Sequence, residues 1–433
     1  MSHVSLRFYP AWLGGLAAAA VIGCGGGGTD PVPPPPPPPP ALTVTSINPT
    51  SGFRDGTMEV HVLGTGFESS SRVVIATAKV RTNSTSFVSA TELIANITIE
   101  PDTPIGPYGV QVVTGSRQST GTTQFRVALN VELVDLGAGD SSRARGINNA
   151  GKIVGSRGAD LTTEQAFLWN NGTITNLGVL PGMTFSFASD INDNDVVVGV
   201  SGTGTIESPI LTRAFKWTAG GGMQALSTLG GAVASARAIN DAGDIVGSAT
   251  VSGTSLGHAV VWRNGVITDL QATSYTDFIG SAFAINTLGE VVGYVYGQSG
   301  FRSTPVLPLT LIPGSGLLFG INSAGCVAGW TSGPLGQGYR TCGVTSRNVG
   351  SCGGAGSRSW AINSAGDVVG DAPNSGGVQW VAFLWMETGG ITCFATPQGS
   401  NGASAYAVND NGWVVGDVGR PVGGTRATLW KVK

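Results

Sequence analysis

Charge is scarce in this chain: 11% of its 433 residues are Asp, Glu, Lys or Arg, the formal net charge is −3, and no long run of one sign occurs. Nucleic-acid binding, which needs clustered Lys and Arg, is excluded as an expectation, and so is strong attraction to anionic lipid. Histidine is equally sparse. His3, His61 and His258 lie far apart, and no His-Glu-x-x-His pair or phosphate-binding loop accompanies them, so catalytic residues, a metal site and a cofactor are not expected. Long apolar runs are missing too. The longest near the N-terminus, Ala11 to Ile22, has twelve residues against the roughly 20 that a membrane-spanning helix needs.

What the chain does have is repetition. One twelve-residue phrase occurs seven times: ARGINNAGKIVG from Ala144, ASDINDNDVVVG from Ala188, ARAINDAGDIVG from Ala236, AFAINTLGEVVG from Ala282, LFGINSAGCVAG from Leu318, SWAINSAGDVVG from Ser359 and AYAVNDNGWVVG from Ala405. The asparagines Asn148, Asn192, Asn240, Asn286, Asn322, Asn363 and Asn409 are 44, 48, 46, 36, 41 and 46 residues apart. A period near 44 marks an array in which no unit buries its apolar face alone. The 68 glycines suit turn-rich strands, and the strict period argues against disorder.

Each unit reads as four short strands. An x-Ala-x-Ala-Ile-Asn strand leads into a turn in which Asn bonds its own backbone and Gly, three positions on, accepts φ > 0. An Ile-Val-Gly or Val-Val-Gly strand follows, then an aromatic one (QAFLW from Gln165, RAFKW from Arg213, HAVVW from His258, VAFLW from Val381, RATLW from Arg426), then a fourth such as TITNLG ending at Gly178. FRSTPVLPL and YRTCGV depart from the aromatic pattern in the fourth and fifth units. Four strands per roughly 44 residues is the blade of a β-propeller, and seven is a common ring size. The last unit stops after its third strand while Val131 to Gly137 matches a fourth, so an N-terminal strand is predicted to complete the final blade. These segments are similar to the HAF family of extracellular repeats across residues 131–433.

Residues 42–127 alternate apolar and polar between frequent Gly, Pro, Asn and Ser, which predicts an antiparallel sandwich. Ile47-Asn48-Pro49 with Ser51-Gly52, Val62-Leu63-Gly64-Thr65-Gly66-Phe67, Pro104-Ile105-Gly106-Pro107-Tyr108 and Phe125 resemble the immunoglobulin-like IPT/TIG domain. That resemblance implies a structural spacer or interaction module of a surface receptor. The fold class expected overall is all-β: an immunoglobulin-like sandwich, then a seven-bladed propeller closed by an N-terminal strand.

Residues 1–23 read as an export signal, and Val21-Ile22-Gly23-Cys24 resembles a bacterial lipobox, which implies a lipid on Cys24. Gly25 lacks the aspartate that, by resemblance, retains lipoproteins at the inner membrane, so an outer-membrane or cell-surface address follows. Residues 24–41 form a tether in which Pro33 to Pro40 extend about 25 Å as a polyproline helix. Without residues 1–23 the chain carries 22 basic against 26 acidic residues. The remaining cysteines, Cys326, Cys342, Cys352 and Cys393, are even in number and clustered, which favours disulfides over a zinc site. Three pairings are open. A hairpin around Thr345 to Arg347 favours Cys342 with Cys352 and Cys326 with Cys393.

Several residues invite a chemical role. His258 occupies a slot filled elsewhere by Gln165, Arg213 and Arg426, and His61 has no partner histidine or cysteine nearby, so both read as structural. Asp190 to Asp195 is the best calcium-like loop, yet most copies of the turn lack the carboxylates calcium needs. Trp169, Trp217, Trp262, Trp385 and Trp430 share one slot, as packing demands. The residues three before each Asn are the variable ones: Arg145, Ser189, Arg237, Phe283, Phe319, Trp360 and Tyr406. Packing between neighbouring blades is the favoured reading; the other is a ring of arginine and aromatic side chains converging on the axis to stack sugars or grip acidic groups. The function expected is non-enzymatic binding or adhesion to polysaccharide or a surface protein. A propeller hydrolase or lyase, or a structural envelope spacer, remains open.

Overall fold

The computed structural model describes residues 38–158, 163–204, 209–305, 307–333, 336–421 and 423–432. Cys24, the export signal and most of the tether lie outside the described residues. Internal contacts divide the chain into two units, residues 1–41 and 42–433. The second is all-β, and among the described residues no helix occurs.

Its first part is a sandwich. One sheet runs Thr43–Asn48, Gly56–Thr65, Glu92–Ile99, Val80–Ser89; the other runs Ser51–Phe53, Gln124–Ala128, Gly106–Thr114, Arg72–Ile75. Glu92–Ile99 alternates strictly between half-buried and buried positions, and Leu93, Ala95 and Ile97 face Val60, Val62, Val112, Phe125 and Val127 in one core. Burying each large apolar side chain contributes about 1.5–3 kcal/mol, which offsets the ordering of this glycine- and serine-rich chain. Ile105 and Leu129 join a second core with Met386, Phe394 and Trp430, so the sandwich packs on the end of the array.

Each copy of the phrase builds the first two strands of a four-stranded antiparallel sheet. The first sheet is Ser142–Ile147, Ile153–Arg157, Gln165–Asn170 and Thr173–Gly178. Units two and three are linked into one eight-stranded sheet by a single parallel bridge, Thr212↔Val233. In the last unit Gly402–Val408, Val414–Gly419 and Thr425–Val432 are completed by Val131–Asp135, paired from Val131↔Val432 to Asp135↔Thr428. The units without an aromatic third strand keep four strands. Phe301 and Tyr339 pair with Gly293 and Gly329 as Phe167 does with Gly155, while Ser303 and Thr341 stand in the tryptophan slot.

The asparagine turn does more than close a hairpin. Each Asn Oδ1 accepts the backbone N–H four residues on, from Lys152 to Asn148 at 2.9 Å through Trp413 to Asn409 at 2.9 Å. Each Nδ2 then donates to the backbone carbonyl of the next unit's Asn. The distances are 3.2 Å from Asn148 to Asn192, 2.9 Å to Asn240, and 3.0 Å for each of the next three steps to Asn363. Asn363 donates to Asn409 at 3.2 Å, and Asn409 donates back to Asn148 at 3.0 Å. All seven are buried. The third residue of the turn has positive φ in every unit, and in the second it is Asp195 rather than glycine, at φ 62°.

The disulfides differ from the expected pairing. Cys326 bonds Cys342, and Cys352 bonds Cys393. In the hairpin of Gly338–Cys342 and Thr345–Asn348, Cys342 pairs with Thr345 at the turn, whereas Cys352 lies past the opposite end of the returning strand. Proximity in sequence therefore misleads. Val327↔Thr341 instead brings Cys326 beside Cys342 across the neighbouring strands, with Cα atoms 4.3 Å apart.

Asn240→Ala removes the donor to Asn286 and strands the buried N–H of Asp244, so urea denaturation is expected to show a loss of about 2–4 kcal/mol. Non-reducing peptide mapping should recover 326–342 and 352–393 cross-links. Removing the second, which closes the longer loop, should cost about 4 kcal/mol against about 3 for the first.

Candidate functional site

The residues three before each Asn share an unusual backbone position. In all seven units the pairing between the first two strands skips there: Ala144 pairs Gly155 and Gly146 pairs Val154, leaving Arg145 without a partner. The same skip falls on Ser189, Arg237, Phe283, Phe319, Trp360 and Tyr406. These are β-bulges, which re-aim a side chain out of the regular alternation. The opposing glycine explains why the phrase ends as it does. A Cβ on Gly247 would lie 1.9 Å from the Ser235 carbonyl oxygen, and one on Gly370 would lie 1.8 Å from that of Arg358. Only glycine lets the bulged strand approach this closely.

The bulges bring the seven side chains together. All line one cavity of about 810 Å³. Six are half-buried, and Arg237 is exposed to the cavity. Phe283 and Phe319 stack with centroids 4.5 Å apart; Phe319 meets Trp360 edge-on at 4.8 Å, and Trp360 lies 5.8 Å from Tyr406. The Arg145 guanidinium sits 3.5 Å over the Tyr406 ring. One side of the cavity is thus a run of aromatic faces and the other carries arginines.

Further residues that line the cavity (Arg143, Phe187, Ser235, Arg358 and Asp371) or pack behind its wall (Trp330 and Asp417) were not singled out from the sequence. Arg143, Phe187, Ser235 and Arg358 stand two residues before the bulge, on the same strand face, a relation that a period of two makes visible. Trp330, Asp371 and Asp417 follow the second-strand glycine. Trp330 stacks on Phe319 at 4.4 Å. Asp371 accepts from Arg358 Nε at 2.7 Å and Trp360 Nε1 at 3.2 Å, while Asp417 lies 3.8 Å from Arg145 without a hydrogen bond. Burial therefore prevails at Asp417 and holds its carboxyl above the usual range, against the pull of Arg145 and Arg143.

Asp190 stands where the other units have Gly or Ala, and it borders both the main cavity and a smaller one of about 250 Å³ beyond it, rimmed by the asparagines. Its oxygens accept the N–H groups of Ile191 at 2.9 Å and Ile239 at 3.0 Å. Enclosure outweighs those bonds, with Asp241 adding to it, and pushes the carboxyl up to about 7. The neighbouring acids of its loop serve the first unit's turn: Asp193 accepts from Asn149, and Asp195 from Asn148 and Lys152. Among the described residues no group of three or more His, Cys, Asp or Glu is arranged to hold a metal.

The other singled-out residues lie elsewhere. Trp169, Trp262, Trp385 and Trp430 are buried and Trp217 half-buried in the cores between sheets. His258 is buried, with Nδ1 2.8 Å from Asp269 and Nε2 3.0 Å from the Thr276 carbonyl. His61 lies 2.8 Å from Glu92 on the sandwich. Gly253-Thr254-Ser255-Leu256-Gly257, a Gly-x-Ser-x-Gly run that sequence reasoning missed, has the spacing of a nucleophile elbow. It forms a turn between two strands rather than a strand-to-helix bend, so the strained geometry that activates such a serine is missing.

Residues 42–127 match the IPT/TIG domain family, and this part of the chain is an IPT/TIG domain. No curated protein matches the chain in sequence. Among solved structures, a protein of unknown function from Bacteroides thetaiotaomicron is similar at 11% identity and TM-score 0.39, covering 92% of this chain and 99% of its own. A gluconolactonase from Xanthomonas campestris is similar at 9% identity and TM-score 0.37, covering 70% and 90%. An auxiliary nutrient binding protein from Bacteroides ovatus follows at 13% and 0.34, covering 91% and 98%.

Because Asp190 binds its proton more tightly folded than unfolded, wild-type stability should fall as pH rises from about 4 to about 7. Asp190→Asn removes the titration. Urea unfolding should show the variant gaining on wild type across that window by up to about 4 kcal/mol, then no further gain above it.

Proposed function

We propose that this chain is an exported surface protein, lipid-anchored through Cys24 at the outer membrane or cell surface, that binds polysaccharide or protein without chemically altering it. In this reading residues 131–433 are HAF-type repeats forming a seven-bladed β-propeller closed by the N-terminal strand, and the IPT/TIG domain holds the propeller away from the tether. The cycle of asparagine hydrogen bonds and the pairing of Val131–Asp135 with Thr425–Val432 support the closed arrangement. One observation carries the binding role: seven side chains that differ from unit to unit, each displaced by a bulge, converge on a single cavity.

That arrangement suits recognition. Backbone geometry is common to every unit and the bulged residue is free to vary, so the lining can be chemically mixed while the frame stays the same. The volume falls in the range of small-ligand sites, and aromatic faces beside arginines are what sugars and acidic groups need.

A hydrolase or lyase has in its favour the carboxyls Asp190 and Asp417, both held above the usual range by burial, and Asp371 on the unit beside Asp417. Of the two that line the cavity, however, Asp371 is engaged by Arg358 and Trp360 and Asp190 accepts the backbone N–H groups of Ile191 and Ile239, so no pair of unengaged carboxyls faces it. The structural-spacer alternative predicts no saturable ligand. An array of glycans and matrix proteins probed with the purified chain is expected to give saturable binding that Trp360→Ala and Arg237→Ala reduce at least about ten-fold, with thermal melting unchanged. Unchanged binding by both variants would discard the cavity as the site, and product release from the polysaccharides would discard the non-enzymatic reading.

A further inference from the structure

The four arginines on the cavity wall are not equivalent. Arg358 hydrogen-bonds Asp371 and lies 3.8 Å over the Trp380 ring. Arg145 has Asp417 at 3.8 Å and the Tyr406 face beneath it. Arg143 acts on Asp417 through its charge. Arg237 has no counterpart. Among the described residues it has neither a hydrogen-bond nor an ion-pair partner, and its side chain is exposed on the cavity wall. Enclosure, and then repulsion from Arg145, hold its guanidinium below the usual arginine range. A cation on the cavity wall with no partner among the described residues is available to an anion from outside the protein.

Its surroundings indicate what kind. In chain order the bulged residues on either side are Ser189, a hydroxyl for which no partner occurs among the described residues, and Phe283, the start of the aromatic run. A single guanidinium fork matches one carboxylate through two parallel hydrogen bonds. Phe283 and Trp360, braced by Phe319 stacked between Phe283 and Trp330, supply faces for the apolar sides of sugar rings, while Trp360 Nε1, spent on Asp371, adds no donor for a second anionic group. A ligand bearing one carboxylate on a stackable ring meets all of these conditions at once.

We infer that the cavity takes an acidic saccharide, a glycan segment containing a uronic acid, with its carboxylate on Arg237, a hydroxyl on Ser189 and its ring faces against Phe283 and Trp360. This rests on the cavity being the binding site, as proposed above. Ser189 and Arg237 thereby set specificity, and the aromatic run supplies affinity that varies little with charge.

Titration calorimetry of the full chain with tetragalacturonate, its fully methyl-esterified form, a neutral tetrasaccharide and inorganic phosphate tests the assignment. Tetragalacturonate should bind saturably, with the ester and Arg237→Ala each weakening it about 10- to 100-fold, and Arg237→Lys falling between because a point charge cannot form the fork. Thermal melting of each variant establishes that the fold is intact. Equal binding of acid and ester, or an unchanged Kd in a folded Arg237→Ala, overturns the inference. Binding of the neutral tetrasaccharide alone overturns it while leaving the cavity as a saccharide site. Phosphate binding as tight as tetragalacturonate overturns the saccharide component. Absence of binding to all four probes also overturns it, and whether the wider binding role survives is then decided separately by the glycan and protein array.

Discussion

The amide of one asparagine per unit holds the array in register. Each is used from both ends: its oxygen closes the turn of its own unit, and its nitrogen bonds the turn of the next. A hydroxyl or carboxylate at this position lacks the second function, because only an amide presents a strong acceptor and a two-proton donor on the same planar group. Since every one of these groups is buried, the cost of leaving any unpaired is high, and the local turn and the contact between units stand or fall together. The local hydrogen bond makes the strand pair; the long-range one fixes where its neighbour sits.

The bulge and the second-strand glycine follow from that placement. With the turn anchored, the first strand approaches the second so closely that a Cβ has no room, and one residue is expelled from the pairing. Its side chain points into the space the units share. An arrangement repeated with the same backbone therefore presents seven side chains of five kinds to one cavity: a serine hydroxyl, two arginines and four aromatic rings. Position along a single strand separates what the frame requires from what varies: alanine, isoleucine, asparagine and glycine hold the frame, and the bulged residue differs between units.

Much of this was legible in the residues. The period marked the units, the Asn and Gly spacing marked the turns, and the position three before each Asn marked the variable slot. The bulge places these residues on the cavity wall, and those of successive units stack on one another, so packing between units and cavity lining coincide at the same side chains. The bulge left no trace in a sequence read as regular alternation. Arg143, Phe187 and Arg358 were within reach of the same period-two reasoning, whereas Trp330, Asp371 and Asp417 come from a different strand and needed the strand pairing itself. The sandwich was legible along its whole length because alternation and turn residues are local signals.

By itself the sequence determined the all-β character, the number and length of the repeated units, the turn chemistry and which positions vary, since each of these rests on interactions within a few residues of the chain. Tertiary structure decided the disulfide pairing and the contrast between arginines already matched by acids and Arg237, which is not. Those outcomes depend on which groups meet across tens or hundreds of residues. Spacing along the chain carries no information about such meetings until the sheets are packed side by side.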